Sequence, residues 1–372
     1  MKYGMIPFFI PHVGCPHICT FCNQSRITEI TNIDYLTPSY IVKTIEEYTA
    51  HKNGNKHWEV CFYGGSFSAI SPSLQQKLLA PAFEALQNGK INGIRCSTRP
   101  DAVDDEALQL LHSYGVSTVE LGVQSMNDSV LENAKRGHTS DDVRLAVQQL
   151  RNYNMTVGLQ ILPGLLGDSW HTIIETAIEI AKLEPDFVRI YPVLVIDYTE
   201  LAEQYKHGIY TPLSVQEGID YCAFLKTWFE EHGIKVIRTG LQSTDELDRG
   251  ASLLAGPYEP AMGELVINEQ WRQRLERCIE KHREAWHMGN MRSSIWCGEV
   301  YYRSRYEDKS LDNGSYRIYV EYPRHMTSKV RGLKNCNIKY FDNHYKSIDF
   351  TWRENNDNNW PICIIDSIQY ML

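Results

Sequence analysis

Three cysteines lie within eight residues near the start of the chain, at Cys15, Cys19 and Cys22. Structural zinc sites usually take four ligands in two separated pairs, whereas the next cysteine here is Cys61. Three thiolates suit a [4Fe–4S] cubane that keeps one iron without a protein ligand, and an open iron is useful only where a substrate or cofactor occupies it. A zinc site completed by His17 or by a distant cysteine is the alternative.

A pair of glycines marks a second candidate site, in the segment Tyr63-Gly64-Gly65-Ser66-Phe67. The segment follows a predicted strand, and residues without a Cβ allow the backbone to approach a ligand closely. A simple turn would show the same residues. The position at a strand end, in a chain that also carries three clustered cysteines, favours a binding role.

Strand and helix patterns alternate from about residue 8 to residue 240, which is typical of a parallel sheet with crossover helices. We therefore predict an α/β fold, a full or partial (β/α) barrel with its chemistry at the carboxyl ends of the strands. The barrel is predicted to occupy residues 1–247, and a smaller C-terminal α+β region residues 248–372. That region is predicted to contain an amphipathic helix at 267–287 and an exposed Asn-rich loop at 342–360. The predicted barrel strands are 7–11, 58–63, 93–98, 118–123, 156–162, 187–195 and 235–239.

The cysteine spacing resembles that of the radical S-adenosylmethionine (SAM) superfamily. Further blocks are similar, in order, to the radical domain of the Elongator catalytic subunit and its bacterial and archaeal relatives, and more distantly to oxygen-independent coproporphyrinogen oxidase. These blocks are STRPD at 97–101, VELGVQS at 119–125, KRGHT at 135–139 and RIYPVLV at 189–195. The resemblance runs from about residue 6 to residue 266 and implies a partial (β/α)6-type radical SAM barrel.

The resemblance also implies cofactors and a reaction. Cys15, Cys19 and Cys22 would hold a [4Fe–4S] cluster whose open iron binds SAM. One electron from the reduced cluster would cleave the sulfonium C–S bond to a 5′-deoxyadenosyl radical, which abstracts hydrogen from a substrate. An external electron donor such as flavodoxin or ferredoxin is the expected partner.

Eight residues match the family's SAM-binding positions: Phe21, Tyr63, Gly64, Gly65, Ser97, Gln124, Arg136 and Gln160. The phenylalanine would pack near the adenine, and the glycine segment would receive the methionine amino group through its backbone. The two glutamines, with the serine beside them, would hydrogen-bond the ribose hydroxyls, and the arginine would pair with the methionine carboxylate. Position 160 departs from the coproporphyrinogen oxidase pattern, which has an aspartate there.

Five further polar residues at strand ends are candidates to face the substrate: Arg99, Glu120, Arg189, Tyr191 and Arg238. The alternation of a strand would place the side chains of Arg189 and Tyr191 on the same side. A buried ion pair within the protein is the alternative role for Glu120. The strand cysteines Cys61 and Cys96 are predicted to be buried small side chains.

The net charge of the 372-residue chain is −9, which argues against a protein built throughout to coat nucleic acid. The charge is uneven, because residues 271–340 carry 15 Lys and Arg against 8 Asp and Glu. Cations there alternate with aromatics, as in YYRSRY at 301–306 and YRIY at 316–319. Such a segment would suit tRNA or another RNA, although a β-rich appendage with solvated charges would have the same composition.

No apolar run reaches the length of a membrane span and no signal-peptide pattern opens the chain, so we expect a cytoplasmic protein without a membrane partner. The Elongator subunit also carries an acetyltransferase, yet no acetyl-CoA-binding glycine loop follows Ala255. If the reaction needs an acetyl group, we expect a separate acetyltransferase as partner.

Three function classes stay open at this point. The first is RNA modification, of the type that acts on the wobble uridine of tRNA. The second is radical chemistry on a small molecule such as a tetrapyrrole or a peptide, and the third is a non-catalytic iron–sulfur or zinc module. The family blocks surround the shared cofactor, and they therefore do not define the substrate.

Overall fold

The computed structural model describes residues 2–11, 15, 18–23, 32–50, 56–241, 252–287, 301–302, 316–365 and 368–372. The chain divides into two compact units, Met1–Pro260 and Ala261–Leu372. In the described part of the chain, no helix is long and apolar enough to cross a membrane.

The strands of the described residues are β1 (Lys2–Ile10), β2 (Lys56–Gly64), β3 (Gly93–Thr98), β4 (Val116–Gln124), β5 (Thr156–Ile161), β6 (Phe187–Ile190), β7 (Val195–Ile196), β8 (Lys235–Thr239), β9 (Leu253–Ala255), β10 (Tyr301–Tyr302), β11 (Tyr316–Tyr322), β12 (Ile348–Glu354), β13 (Ile362–Ile365) and β14 (Ile368–Met371). The helices are α1 (Pro38–Ala50), α2 (Pro72–Gln87), α3 (Asp105–Ser113), α4 (Asp128–Asn133), α5 (Ser140–Asn152), α6 (Trp170–Lys182), α7 (Glu200–Lys206), α8 (Val215–Glu231), α9 (Met262–His287), α10 (Thr327–Arg331) and α11 (Cys336–His344).

The first unit is built on a sheet of seven parallel strands in the order β1-β2-β3-β4-β5-β6-β8, curled into a half-barrel. All seven predicted strands are present, which confirms the predicted fold class. The strand predicted at 187–195 is shorter than expected. It ends at Ile190, and β7 instead pairs antiparallel with β9.

Alternation along the strands gives the sheet one apolar face and one polar face. In β4, Leu121 and Val123 are fully buried, while Glu120 and Gln124 stand at the intervening positions of the same strand. Strands β3 and β5 repeat the pattern, since Ile94, Cys96, Val157 and Leu159 alternate with Arg95, Ser97, Gly158 and Gln160. Because alternate side chains point to opposite faces, the polar residues of neighbouring strands share one face.

Helix capping fixes where the crossover segments begin. Thr139 caps α5 in a capping box with Asp142, as its sequence predicts, and Ser169 caps α6 in the same way with Thr172. Ser71 precedes α2, whose first residue is Pro72. β2 ends at Gly64 and β5 at Ile161, so the loops that lead into α2 and α6 are short, and their residues stay at the carboxyl end of the sheet.

The second unit has a five-stranded sheet in the order β10-β14-β13-β11-β12. Its core joins Trp271 and Leu275 of α9 to Val320 of β11 and Phe341 of α11. The predicted amphipathic helix is present and begins earlier, at Met262. The prediction of an exposed loop at 342–360 is wrong, because β12 lies inside it and pairs in parallel with β11. The residues Asn313 and Gly314 predict a turn, and they lie outside the described residues.

Candidate active site

The cysteine loop, residues 15–23, follows the end of β1. Its described backbone is held on two sides, because the Thr20 N–H donates to the Ala134 carbonyl at 3.1 Å and the Thr20 carbonyl accepts from the Leu201 N–H at 2.8 Å. The side chain of Asn23 also donates to the Asp197 carbonyl at 3.2 Å. Segments that follow two different strands, β4 and β7, thus fix the position of the loop.

A cavity of about 150 Å³ lies against the cysteine loop. All three of the predicted metal ligands line it, Cys15, Cys19 and Cys22. The other predicted site residues in its wall are Phe21, Gly64, Gly65, Ser97, Gln124, Arg136 and Gln160. The three thiols line the same cavity, but among the described residues no three His, Cys, Asp or Glu side chains are arranged around a single metal ion.

The two glycines of the segment, Gly64 and Gly65, bring backbone and not side chain into the cavity. Gly64 has a φ of 110°, and a Cβ there would lie 2.4 Å from the Ile10 carbonyl oxygen. The Gly65 N–H donates to the same Ile10 oxygen at 2.6 Å. Only glycine fits this conformation and this close contact, so the backbone of the segment stays open to a ligand.

Gln124 reaches the cavity through an irregularity at the end of β4. The register with β5 shifts between Gly122 and Gln124, and Gln124 has a φ of 72°. Two contacts hold this backbone: His138 Nε2 lies 3.2 Å from the Val123 oxygen, and the Leu162 N–H donates to the Gln124 oxygen at 2.9 Å. The Gln124 Oε1 is buried and has no hydrogen-bond partner among the described residues, so it is an available acceptor.

Arg136 connects the cysteine loop to β4. Its Nη1 donates to the Cys19 sulfur at 2.9 Å and its Nη2 donates to the Gly122 carbonyl at 2.6 Å. A Cβ on Gly122 would lie 3.3 Å from Arg136 Nη2, so this glycine leaves room for the guanidinium. The resemblance did not imply this contact with Cys19, because it follows from the packing of two loops that are far apart in sequence.

Glu120 is the carboxylate in the cavity wall, and it is only 3% exposed. Its oxygens lie 2.9 Å from Arg95 Nη1 and 2.6 Å from Arg189 Nε, and Tyr63 donates to it at 3.3 Å. Arg95 also pairs with Glu59 at 2.6 Å. The charges of two carboxylates and two guanidiniums therefore cancel on the polar face of the sheet. Glu120 is thus a buried ion-pair partner, which is the alternative role that the sequence left open.

Tyr63 is the predicted SAM residue that does not line the cavity. Its hydroxyl lies in the Glu120 network and accepts from Arg189 Nη2 at 3.1 Å. Tyr191 joins this network by accepting from Arg189 Nη1 at 3.1 Å, which agrees with the predicted common side of these two side chains. Arg238 contacts the Gly240 carbonyl at 3.2 Å. Cys61 and Cys96 are fully buried, as predicted.

The sequence reasoning missed Arg95 and Glu59. Both sit on the polar face, and the alternation of the strands was the signal that could have found them. It also assigned no role to His138, whose contact with Val123 depends on the folded position of the loop after α4. Burial lowers the pKa of His138 to about 4, and the charges of Arg136 and Arg99 act in the same direction.

Comparison with known families identifies the class of this fold and site. The radical SAM superfamily model matches residues 9–180, and the radical SAM C-terminal domain model matches residues 185–272. The chain belongs to the radical SAM superfamily. It is a radical SAM enzyme, with a [4Fe–4S] cluster and SAM as cofactors.

Individual relatives define the group more closely. The chain is 31% identical over 226 residues to the uncharacterized protein MJ0486 of Methanocaldococcus jannaschii, covering 58% of this chain and 69% of that protein. It is 30% identical over 253 residues to the tRNA uridine(34) acetyltransferase of the same organism, covering 62% of this chain and 45% of that protein. The chain is thus homologous to the radical SAM region of these acetyltransferases and spans less than half of their length.

A solved structure shows the same fold. The N-terminally deleted Elp3 of Methanocaldococcus infernus superposes with a TM-score of 0.59 at 23% identity, over 74% of this chain and 64% of that one. The predicted partial barrel with a smaller C-terminal region is therefore confirmed, and the barrel is a half-barrel.

Proposed function

We propose that Cys15, Cys19 and Cys22 bind the [4Fe–4S] cluster and that the cavity beside them binds SAM. Three thiols that line one cavity suit a cluster with one open iron. When bound, the two cofactors supply the electron and the carbon radical that removes a hydrogen atom from the substrate. The chain's own residues then have to orient SAM and keep water away from it.

The polar groups in the cavity wall suit the parts of SAM. The buried acceptor Gln124 Oε1 would take a hydrogen bond from a ribose hydroxyl, and the backbone around Gly64 would accept from the methionine amino group. Arg136 would turn its guanidinium to the methionine carboxylate, for which its fork is suited. Phe21 packs against a group of buried hydrophobic side chains that includes Val130 and Ala134. The cavity-facing part of its ring would cover the adenine.

We infer that the substrate is RNA and that the reaction modifies a nucleoside of the tRNA wobble-uridine type. The observation that supports this proposal is the 30% identity to a tRNA uridine(34) acetyltransferase over 253 residues. Radical SAM enzymes generally take their electron from an external reductant, for which flavodoxin or ferredoxin is proposed. An acetyl group, if the reaction uses one, would come from a separate acetyltransferase.

A cationic segment of the second unit supports an RNA substrate. Residues 323–341 contain five Lys and Arg and no Asp or Glu. Lys329, Lys334 and Lys339 are exposed, as is Arg324. The fifth cation, Arg331, contacts the Tyr322 hydroxyl and lies 5.6 Å from the centre of that ring, so it is occupied within the unit. The exposed cations would contact phosphates, the sequence-independent part of RNA binding.

Base stacking has less support than phosphate contact. Tyr319 is half-buried, with the Arg353 guanidinium 5.4 Å from its ring centre. The side chains of Tyr301, Tyr302 and Tyr316 lie outside the described residues. The proposed RNA contact therefore rests on charge, and it is expected to depend strongly on salt.

The test compares tRNA binding by two triple variants of the full chain. Lys329→Gln/Lys334→Gln/Lys339→Gln removes three cations of the segment. Lys43→Gln/Lys90→Gln/Lys182→Gln removes three exposed lysines of the first unit and serves as the control. We expect the slope of log K against log salt to become less negative by about 2–3 in the first variant, at about 0.7–0.9 per lost phosphate contact, and to stay at the wild-type value in the control.

Nucleoside mass spectrometry of tRNA from cells grown without oxygen, with and without the gene, tests the reaction itself. A nucleoside that disappears with the gene supports tRNA modification. Unchanged tRNA nucleosides, together with no tRNA binding at low salt, would reject it and favour a small-molecule substrate.

A further inference from the structure

Arg99 is a buried cation in the cavity wall. The SAM-binding pattern assigns no role to this residue. It follows β3 and is only 3% exposed. Asp101 holds its guanidinium in a fork, since Nε donates to Oδ1 at 2.8 Å and Nη2 donates to Oδ2 at 2.9 Å. Nη2 also donates to the backbone carbonyl of Arg136. The position of the guanidinium is therefore fixed from two sides.

The third nitrogen of this guanidinium has no acceptor in the part of the chain that the structure describes. Nη1 of Arg99 is buried and finds no hydrogen-bond partner among the described residues. A buried donor without a partner is destabilising, so such groups usually face a ligand or serve a chemical role. The cavity that Arg99 lines also exposes Cys15 and Cys19.

Arg99 keeps its charge in this position. Burial acts to lower its pKa, but the hydrogen bonds and charge of Asp101 outweigh burial, and the sulfurs of Cys19 and Cys15 add to the rise. Its pKa therefore lies above its usual value. Arg136 brings a second guanidinium to the same wall, in contact with Cys19 at 2.9 Å. Charges act over longer distances in such a buried site than in water.

We propose that Arg99 is a cluster-facing cation, which points Nη1 at the sulfur atoms of the cluster held by Cys15 and Cys19 and raises the reduction potential of that cluster. Hydrogen bonds to cluster sulfurs and nearby charge are known levers on this potential. A fixed positive charge stabilises the reduced, more negative cluster over the oxidised one. Through its bond to the Arg136 carbonyl, Arg99 also positions Arg136. The inference rests on the proposed cluster ligands.

The experiment measures the cluster midpoint potential of the full chain by EPR-monitored redox titration, after anaerobic reconstitution and without SAM. The variants are Arg99→Gln, Asp101→Asn and, as control, Arg144→Gln, which removes an arginine paired with Asp141 and Glu179 on the surface. We expect the potential to fall in Arg99→Gln, to rise in Asp101→Asn, and to stay at the wild-type value in the control.

Opposite shifts separate electrostatics from damage, because a distorted loop would move both variants in the same direction. Equal potentials in wild type and Arg99→Gln, or a shift of both variants in one direction, overturn the inference. If Arg99→Gln does not bind a cluster, the midpoint potential of Asp101→Asn tests the inference instead. A potential of that variant equal to or below the wild-type value rejects the charge effect. A wild-type chain that binds no cluster would instead reject the proposed cluster ligands.

Discussion

Arg189 reaches from β6 to Glu120 on β4, although β5 lies between these strands, and its Nε comes within 2.6 Å of Glu120 Oε2. The β5 residue that pairs with Glu120 is Gly158, so no side chain stands beside the carboxylate on that strand. Arg95 approaches from β3, on the other side, at 2.9 Å. The carboxylate thus ties together three strands of the half-barrel beneath the cavity.

Replacing Glu120 by Gln is expected to lower the free energy of unfolding by about 3–5 kcal/mol, because it leaves Arg189 and Arg95 with less than their full countercharge in a buried site. Urea denaturation measures the loss. The matched control is Glu200→Gln, which breaks an exposed pair with Lys135 and is expected to cost at most about 1 kcal/mol. Equal losses in the two variants would show that the buried network does not stabilise the sheet.

Replacing Cys19 by Ala is expected to abolish cluster binding. Reconstituted wild-type chain should hold about four irons, as one [4Fe–4S] cluster requires, and the variant should hold far fewer because a cluster with two thiolate ligands is weakly bound. Iron analysis and the visible spectrum report the result. Cys336→Ala, which removes an exposed cysteine of the second unit, is the control and should load like wild type. Full iron content in Cys19→Ala would exclude this residue as a ligand.

The parts of the site that follow local patterns were predictable. Cys15, Cys19 and Cys22 are close in sequence, and the alternation of β4 is visible in its residues. The Glu120–Arg189 pair was not predictable as a contact, because it depends on strand order and on the absence of a side chain at Gly158. A local pattern does not report which side chains meet across a sheet.

In the second unit, by contrast, the sequence interpretation overlooked a local pattern. Ile348, Phe350 and Trp352 alternate with polar residues, which is a strand pattern. The nearby asparagines outweighed this signal in the sequence interpretation and led to the wrong prediction of a loop. Phe350 and Trp352 pack on Phe341, with ring centres 5.3 and 5.9 Å away. The apolar period was therefore the better guide than the composition around it.

His138 is expected to make folding less stable at low pH. Its pKa is about 4 in the folded chain and 6.5 when unperturbed, so between these values the unfolded state binds the proton first. The stabilising effect of a neutral His138 is complete above pH 6.5 and is lost as the pH falls toward 4, by up to about 1.4 kcal/mol per pH unit.

Urea denaturation of wild type and His138→Gln at several pH values between 4 and 7 measures this effect. The variant should show a shallower decline of the unfolding free energy as the pH falls, because its amide does not titrate. His171→Gln, an exposed position on α6, is the control and should follow the wild-type curve. Parallel curves for wild type and His138→Gln would contradict the buried, neutral state of His138.

Gly64→Ala is expected to damage both stability and SAM binding. The new methyl would lie 2.4 Å from the Ile10 oxygen, in a backbone with a φ of 110° that L-residues rarely adopt, so the loop has to move away from the cavity. The strain should lower the unfolding free energy by about 1–3 kcal/mol, and the displaced backbone should weaken SAM binding on the order of tenfold. Equilibrium binding of SAM and urea denaturation measure the two effects.

Gly89→Ala separates the close contact from the backbone conformation. Gly89 also has a positive φ, 67°, but a Cβ there meets nothing within 4 Å. The Gly89→Ala variant should therefore lose only the conformational penalty of about 1–2 kcal/mol in unfolding free energy and bind SAM with the wild-type affinity. If Gly64→Ala bound SAM as tightly as Gly89→Ala, the backbone around Gly64 would not contact the cofactor, and the amino group of SAM would need another acceptor in the cavity.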